Sequence, residues 1–176
     1  MIKGKIITLC AIESADLEQF RDWRNNPDTR KYFREFRELN MHHQKTWFTD
    51  KVMNDPSTLM FAVRRTKDNQ LLGCCGLAYI NWVNRHAELS IYIGWKDEYI
   101  DKTGYAEESC NLLIKYGFEE ISLNKIWTEI YEFDDRKTSL FSQLGFQKDG
   151  LLRQHYWHRG KWWNSIIYSL LMDDKS

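Results

Sequence analysis

The chain has 176 residues, 43% hydrophobic and 28% charged, the balance of one soluble globular domain over residues 1–176 with a single core. Its 25 Lys and Arg offset 25 Asp and Glu, so no overall field steers it toward nucleic acid or an anionic membrane, and neither is expected as a partner. No apolar run reaches the roughly 20 residues of a membrane span, and the segment Met1–Ile7 lacks a signal-peptide core, which predicts a cytoplasmic protein.

Residues 3–9 alternate Lys3, Lys5, Ile7 against Gly4, Ile6, Thr8, as a first strand does. Ser14 is placed to cap a helix with Leu17, Phe20 and Trp23 at helical spacing. Asn25-Asn26-Pro27 ends it, because Pro disfavours helix in the residue before it. Residues 42–53 again read as helix, with Trp47, Phe48 and Val52 on one side. Strands are predicted at Leu59–Arg65, Leu71–Tyr79 and His86–Gly94, separated by polar turns.

A helix from Gly104 to Ile121 places Ala106, Cys110, Leu113 and Gly117 along one stripe. A strand follows at 125–131, then a short helix capped by Asp134 or Asp135 and carrying Leu140, Phe141 and Leu144. The last two strands, near 146–157 and 162–172, join through a hairpin turn at His158-Arg159-Gly160-Lys161. The four cysteines, Cys10, Cys74, Cys75 and Cys110, show no Cys-x-x-Cys spacing and read as buried thiols. His42 and His43 are adjacent rather than i, i+4, so no metal site is expected.

The most informative stretch is Lys102-Thr103-Gly104-Tyr105-Ala106, between a strand and a helix start. Backbone N–H groups and the positive end of the helix dipole converge there, which makes a phosphate cradle. Together with Trp23-Arg24-Asn25-Asn26-Pro27, Gln44-Lys45-Thr46-Trp47-Phe48, Arg85-His86-Ala87-Glu88 and Leu144-Gly145-Phe146, this order of segments resembles the GNAT superfamily of acetyl-CoA-dependent N-acetyltransferases, and within it the RimJ/RimL-like branch, over nearly the whole chain.

The resemblance implies an α/β (α+β) fold: a mixed, mostly antiparallel sheet of about seven strands flanked by helices, with two splayed central strands. Acetyl-CoA, as acyl donor, would lie in that gap, along the backbone of Ile91, Tyr92 and Ile93. Its diphosphate would rest on the N–H groups of Lys102, Thr103, Gly104, Tyr105 and Ala106, with Asp134 and Phe141 also at the cofactor. No metal is implied.

Glu88 is the candidate general base, a carboxylate within the strand that leads to the cleft, placed to take a proton from an ammonium directly or through water; the competing reading pairs it with Arg64, Arg65 or Arg85. Two positions depart from the family pattern. Asp101 stands where Gln or Arg is usual, which costs about 1 kcal/mol beside a diphosphate unless it caps the turn. Phe141 stands where a Tyr protonates the leaving thiol, so the acid is unassigned. These departures keep a rival reading open, a non-catalytic CoA-binding module.

The acceptor is read as a small-molecule primary amine: a nucleotide-linked amino sugar first, otherwise a polyamine or a protein N-terminus. Arg24, Asn25, Arg30, Tyr156 and Asn164 are the candidate acceptor contacts, for their forks and planar rings. Glu35, Glu38 and Asp50 do not cluster into an obvious polyamine site. A homodimer is compatible with the resemblance.

Overall fold

In the computed structural model, which describes residues 1–175, the predicted first strand is two, β1 (Ile2–Lys3) and β2 (Ile7–Cys10). The Glu108 carboxylate accepts the N–H groups of Lys5, Ile6 and Ile7 at 2.7, 2.8 and 2.9 Å, so these donors leave the strand ladder. The sheet therefore has eight strands rather than seven, in the order β1-β2-β3-β4-β5-β6-β8-β7. The others are β3 (Leu59–Arg65), β4 (Leu71–Asn81), β5 (His86–Ile93), β6 (Lys125–Tyr131), β7 (Gln147–His158) and β8 (Lys161–Leu171). All neighbouring pairs are antiparallel except β5 and β6.

The helices are α1 (Leu17–Asn25), α2 (Met41–Trp47), α3 (Tyr105–Lys115) and α4 (Asp135–Gln143). The turn into α1 is capped at Glu13 rather than at Ser14, with the Asp16 carboxylate accepting the Glu13 N–H at 3.1 Å. The predicted helices at 42–53 and 104–121 continue past α2 and α3 as wider turns over Phe48–Met53 and Tyr116–Glu120. Asp134, not Asp135, caps α4 by accepting the Lys137 N–H at 3.0 Å. In the β7–β8 turn Arg159 (φ 50°) and Gly160 (φ 74°) are both left-handed, as a two-residue hairpin that follows the strand twist requires.

Side chains of β5 alternate faces. Tyr92 meets Phe20 of α1 edge-on at 6.5 Å, and α1 packs on α2. On the opposite face α3 packs against β5, β2 and β4, and Gly117 lies beside Ile126 and Leu77. Because both faces are covered, β4 is buried without a break from Leu71 to Leu77, the composition expected of a central strand. Large side chains with essentially no exposure, among them Phe20, Phe141, Leu77, Leu113 and Ile126, each contribute about 1.5–3 kcal/mol of burial.

One irregularity fixes the site. β5 and β6 pair only from His86 to Glu88 against Lys125 to Trp127. Beyond that, β5 continues to Ile93 beside β4, and β6 to Tyr131 beside β8. The strands part, and the gap opens immediately after Glu88.

Candidate active site

A cavity of about 350 Å³ occupies the gap and the α1–α2 side of the sheet. Glu88, Ser90, Ile91 and Tyr92 line it from β5, and Glu129 and Tyr131 from β6. Met60, Cys74 and Ala78 form its floor, Arg24, Gln44 and Trp47 come from the helices, and Asp134 and Lys137 from the start of α4. Glu88 is 5% exposed.

The partner of Glu88 is Arg34, from the loop before α2, and not Arg64, Arg65 or Arg85. Arg34 Nη1 donates to Glu88 Oε2 at 3.0 Å, and its Nη2 donates both to Glu88 Oε1 and, at 3.0 Å, to Glu129 Oε2. Two carboxylates from the two parting strands thus share one guanidinium. Burial works against the charge on Arg34, but the hydrogen bonds to Glu88 and the charges of Glu88 and Glu129 outweigh it and raise the Arg34 pKa above its ordinary value. Sequence reasoning missed this cluster. Glu129 and Arg34 lie 95 residues apart, so only folding brings them together.

Peptide groups along a strand alternate sides. Gly94 donates toward β4, to Leu72 O at 2.9 Å, while Ile93 donates away from it, to Tyr99 O at 2.8 Å. By this alternation Ile91 and Ile93 face the gap, and Tyr92 faces β4. Of the three predicted edge residues, Ile91 presents its N–H to the gap, Ile93 N–H is taken by Tyr99, and Tyr92 contributes its ring to the wall.

Tyr99 stacks on Tyr32 at 4.1 Å, and its hydroxyl donates to Asp134 Oδ2 at 2.6 Å. Burial, then the Asp134 charge, raises the Tyr99 pKa far above that of an ordinary phenol. Asp134 is itself raised by burial, against the hydrogen bonds from Tyr99 and the Lys137 amide. Lys137 Nζ lies 3.4 Å from Glu129 O and 5.7 Å from the centre of the Phe141 ring, and burial lowers its pKa. Phe141 does not reach the cavity. It is fully buried, edge-on to Phe146 at 4.8 Å.

Of the predicted acceptor contacts only Arg24 lines the cavity. The Asn25 side chain clips the Leu39 backbone, donating to its O and accepting from its N–H, both at 2.8 Å. Arg30 pairs with Glu38. Tyr156 stacks on Tyr131 at 3.9 Å behind the cavity wall, and Asn164 holds Glu132 and the Gln154 N–H. These four side chains brace the loop and hairpin that flank the cavity. Cys74 is on the floor, but burial pushes its thiol up to about 12, which removes the thiolate an acyl carrier needs.

The gap suits the donor's slender arm, since Ile91 offers an unpaired strand edge. The loop expected from the sequence to hold phosphate does not present itself open. Asp101, expected to repel the diphosphate or to cap the turn, caps it: its carboxylate accepts the N–H groups of Thr103, Tyr105 and Ala106 at 2.9, 3.0 and 2.7 Å.

Residues 7–147 match the family model of the acetyltransferase (GNAT) domain. The uncharacterized N-acetyltransferase p20 of Bacillus licheniformis is 25% identical over 170 residues, 94% of this chain and 92% of that one. The spermidine N(1)-acetyltransferase of Escherichia coli K12 is 29% identical over 161 residues, 91% of this chain and 83% of that one. The spermidine N-acetyltransferase of Vibrio cholerae, solved with CoA and spermine, superposes with a TM-score of 0.88 at 22% identity, covering 97% of this chain and 98% of that one. A dodecameric structure of the Vibrio enzyme superposes at 0.81 with 23% identity, covering 98% and 97%. With the family model spanning most of the chain and the overall fold shared with a solved acetyltransferase, the chain belongs to the GNAT acetyltransferase family and is an N-acetyltransferase whose acyl donor is acetyl-CoA.

Proposed function

We propose that the chain acetylates a primary amine of a polyamine of the spermidine class, by direct attack in a ternary complex. The observation that carries this reading is the pair Glu88 and Glu129, which already shares one cation, the Arg34 guanidinium, where the sheet opens. An alkylammonium matches that demand for positive charge, and its methylenes match the Trp47 and Tyr92 walls and the Met60 floor. The spermidine acetyltransferases among the relatives support the same acceptor, which moves it ahead of the nucleotide-linked amino sugar and the protein N-terminus. The RimJ/RimL-like branch remains part of this reading only as the sequence resemblance stated above.

In this reading the acceptor ammonium displaces Arg34 from between the carboxylates. Glu88 then takes the proton from the nitrogen at its Oε atoms, directly or through water. The Ile91 N–H faces the developing oxyanion. Acetyl-CoA supplies an activated thioester carbonyl and a thiol leaving group. Phe141 has no proton to give, and in this reading Lys137, one turn earlier on α4 and lining the cavity, passes a proton from Nζ to the leaving thiolate, which its burial-lowered pKa favours. Exposed Leu151, Leu152, Trp157 and Trp162 on the β7–β8 hairpin, together with a dodecameric relative, support self-association into a multimer.

The test is thiol release from acetyl-CoA with spermidine, a nucleotide-linked amino sugar and a short peptide in parallel. The expected result is a kcat/KM for spermidine at least tenfold above the others. Turnover of the amino sugar or peptide without spermidine turnover would overturn the polyamine assignment.

A further inference from the structure

Apart from the Ile91 edge, the groups on the donor side of the site are engaged by the chain itself. Three anchoring elements that an acyl-CoA would use are each engaged by one segment, residues 95–101. The Ile93 N–H on the gap edge is held by Tyr99 O at 2.8 Å. The start of α4 is held by the Tyr99 hydroxyl on Asp134 at 2.6 Å. The loop before α3 is held by the Asp101 carboxylate, with three N–H donors between 2.7 and 3.0 Å. A carboxylate there does the electrostatic work of a phosphate: it accepts the convergent N–H groups and faces the positive end of α3. Glu107 and Glu108 add acid to the first turn of the same helix. A diphosphate cannot share these donors with a carboxylate without close like-charge contact.

The segment is also held against its local preference. Lys96, Asp97 and Tyr99 have φ of 58°, 56° and 58°, left-handed values that Asp tolerates but that are costly for Lys and Tyr. Two ties hold it: Asn26 Nδ2 donates to Asp97 Oδ1 at 2.6 Å, and Arg136 Nη1 donates to Glu98 O at 2.9 Å. Such a segment has a more relaxed alternative once those ties break.

We propose that residues 95–101 form a latched strap over the donor groove, with Asp101 as an internal substitute for the diphosphate, and that acetyl-CoA enters only when the strap is displaced. The inference rests on the donor groove lying between Ile91 and the 101–106 loop. It makes the closed strap a built-in brake: a groove open in about one molecule in ten binds its donor about tenfold more weakly than a groove always open. It also explains how a cradle can carry an acid at its first position and remain ordered.

The test is calorimetric titration of the full chain, Asp101→Ala and Asp101→Asn with CoA and with inorganic pyrophosphate. Asp101→Asn keeps an acceptor oxygen for the turn, which guards against a folding defect in Asp101→Ala. The strap predicts CoA binding at least tenfold tighter in Asp101→Ala, a smaller gain in Asp101→Asn, and pyrophosphate binding in Asp101→Ala alone. Amide exchange at Thr103, Tyr105 and Ala106 should speed up in the free Asp101→Ala protein and slow again with CoA. Equal or weaker CoA binding by both variants overturns the strap and leaves the donor groove standing. Absence of CoA binding by all three proteins at millimolar ligand overturns the groove itself. Neither outcome depends on which amine is acetylated.

Discussion

Glu88 shows how a residue's neighbours decide what it does. Its place in β5 makes it a buried carboxylate, and the strand parting after it makes it a buried carboxylate beside space. Arg34 holds it in the resting state, so a base role requires the acceptor to take Arg34's place. Replacing Glu88 with Gln leaves Arg34 with Glu129 and should preserve the fold. We expect kcat to fall about 100-fold, the contribution typical of a positioned base, with CoA affinity unchanged by calorimetry. Lys137→Met should lower kcat about tenfold and leave the KM for the amine within twofold. Unchanged kcat in either variant removes that residue from its assigned role.

Asp134 gives the pH prediction. Burial raises its folded pKa, against the pull of the Tyr99 hydrogen bond and the Lys137 amide. Its unfolded value is about 3.9. An acid with a raised folded pKa contributes stability that is complete below the unfolded pKa and is lost as pH rises through the folded pKa. At neutral pH the buried charge is therefore a net cost. Asn at this position keeps an oxygen for the α4 cap and for the Tyr99 hydroxyl. Asp134→Asn should raise the melting temperature at pH 7.5 by roughly 2–4 °C, the shift expected for about 1 kcal/mol in a chain of this size, and the gain should fade toward pH 4. A lower melting temperature at pH 7.5 would mean that the carboxylate's hydrogen bonds outweigh its desolvation.

At the scale of elements, the junction of β5 with α1 has the least tolerance. A Cβ on Gly94 would lie 1.9 Å from the Trp23 indole, and both neighbours are anchored: Gly94 N–H donates to Leu72 O, and Trp23 O accepts from Asn26 N–H. Gly94→Ala must push α1 off the sheet or twist the end of β5. Overpacking of this kind costs about 3 kcal/mol, which predicts a melting temperature lower by roughly 10 °C. Because α1 forms one wall of the cavity, the KM for the amine should rise in parallel. A variant that melts with the native chain would show that the junction yields more easily than its geometry indicates.

The same scale shows where sequence patterns held and where they did not. β3 and β6 run over the predicted residues, because strand alternation and bounding turns are local signals. The break between β1 and β2 was not legible, because Glu108, more than a hundred residues away, takes the N–H groups of Lys5, Ile6 and Ile7. The cap at Ser14 gave way to Glu13 for a more local reason, since Asp16 returns a bond to the Glu13 N–H and completes the turn there.

For the whole molecule, the sequence determined the order of elements, the buried stripe of α3, the α4 cap among two candidates and the candidate base, because each depends on side-chain periodicity or on neighbours a few residues apart. The family followed from the order of those segments, and the family model over residues 7–147 agrees with it. Only the tertiary structure decided which charges meet. Arg34, Glu88 and Glu129 lie on a loop and two strands, and the bonds that join them span 54 and 95 residues. Asn25, Arg30, Tyr156 and Asn164 carry suitable chemistry but turn to brace loops and the hairpin, away from the cavity. Asp101 reads in the sequence as an acid that either repels a diphosphate or caps the turn, and the fold makes it the cap that accepts three N–H groups of the following loop. The physical reason is common to all three. Periodicity fixes which face a residue presents, but a charge in a low-dielectric gap is governed by whichever opposite charge or N–H group the chain's long-range closure brings within about 3 Å.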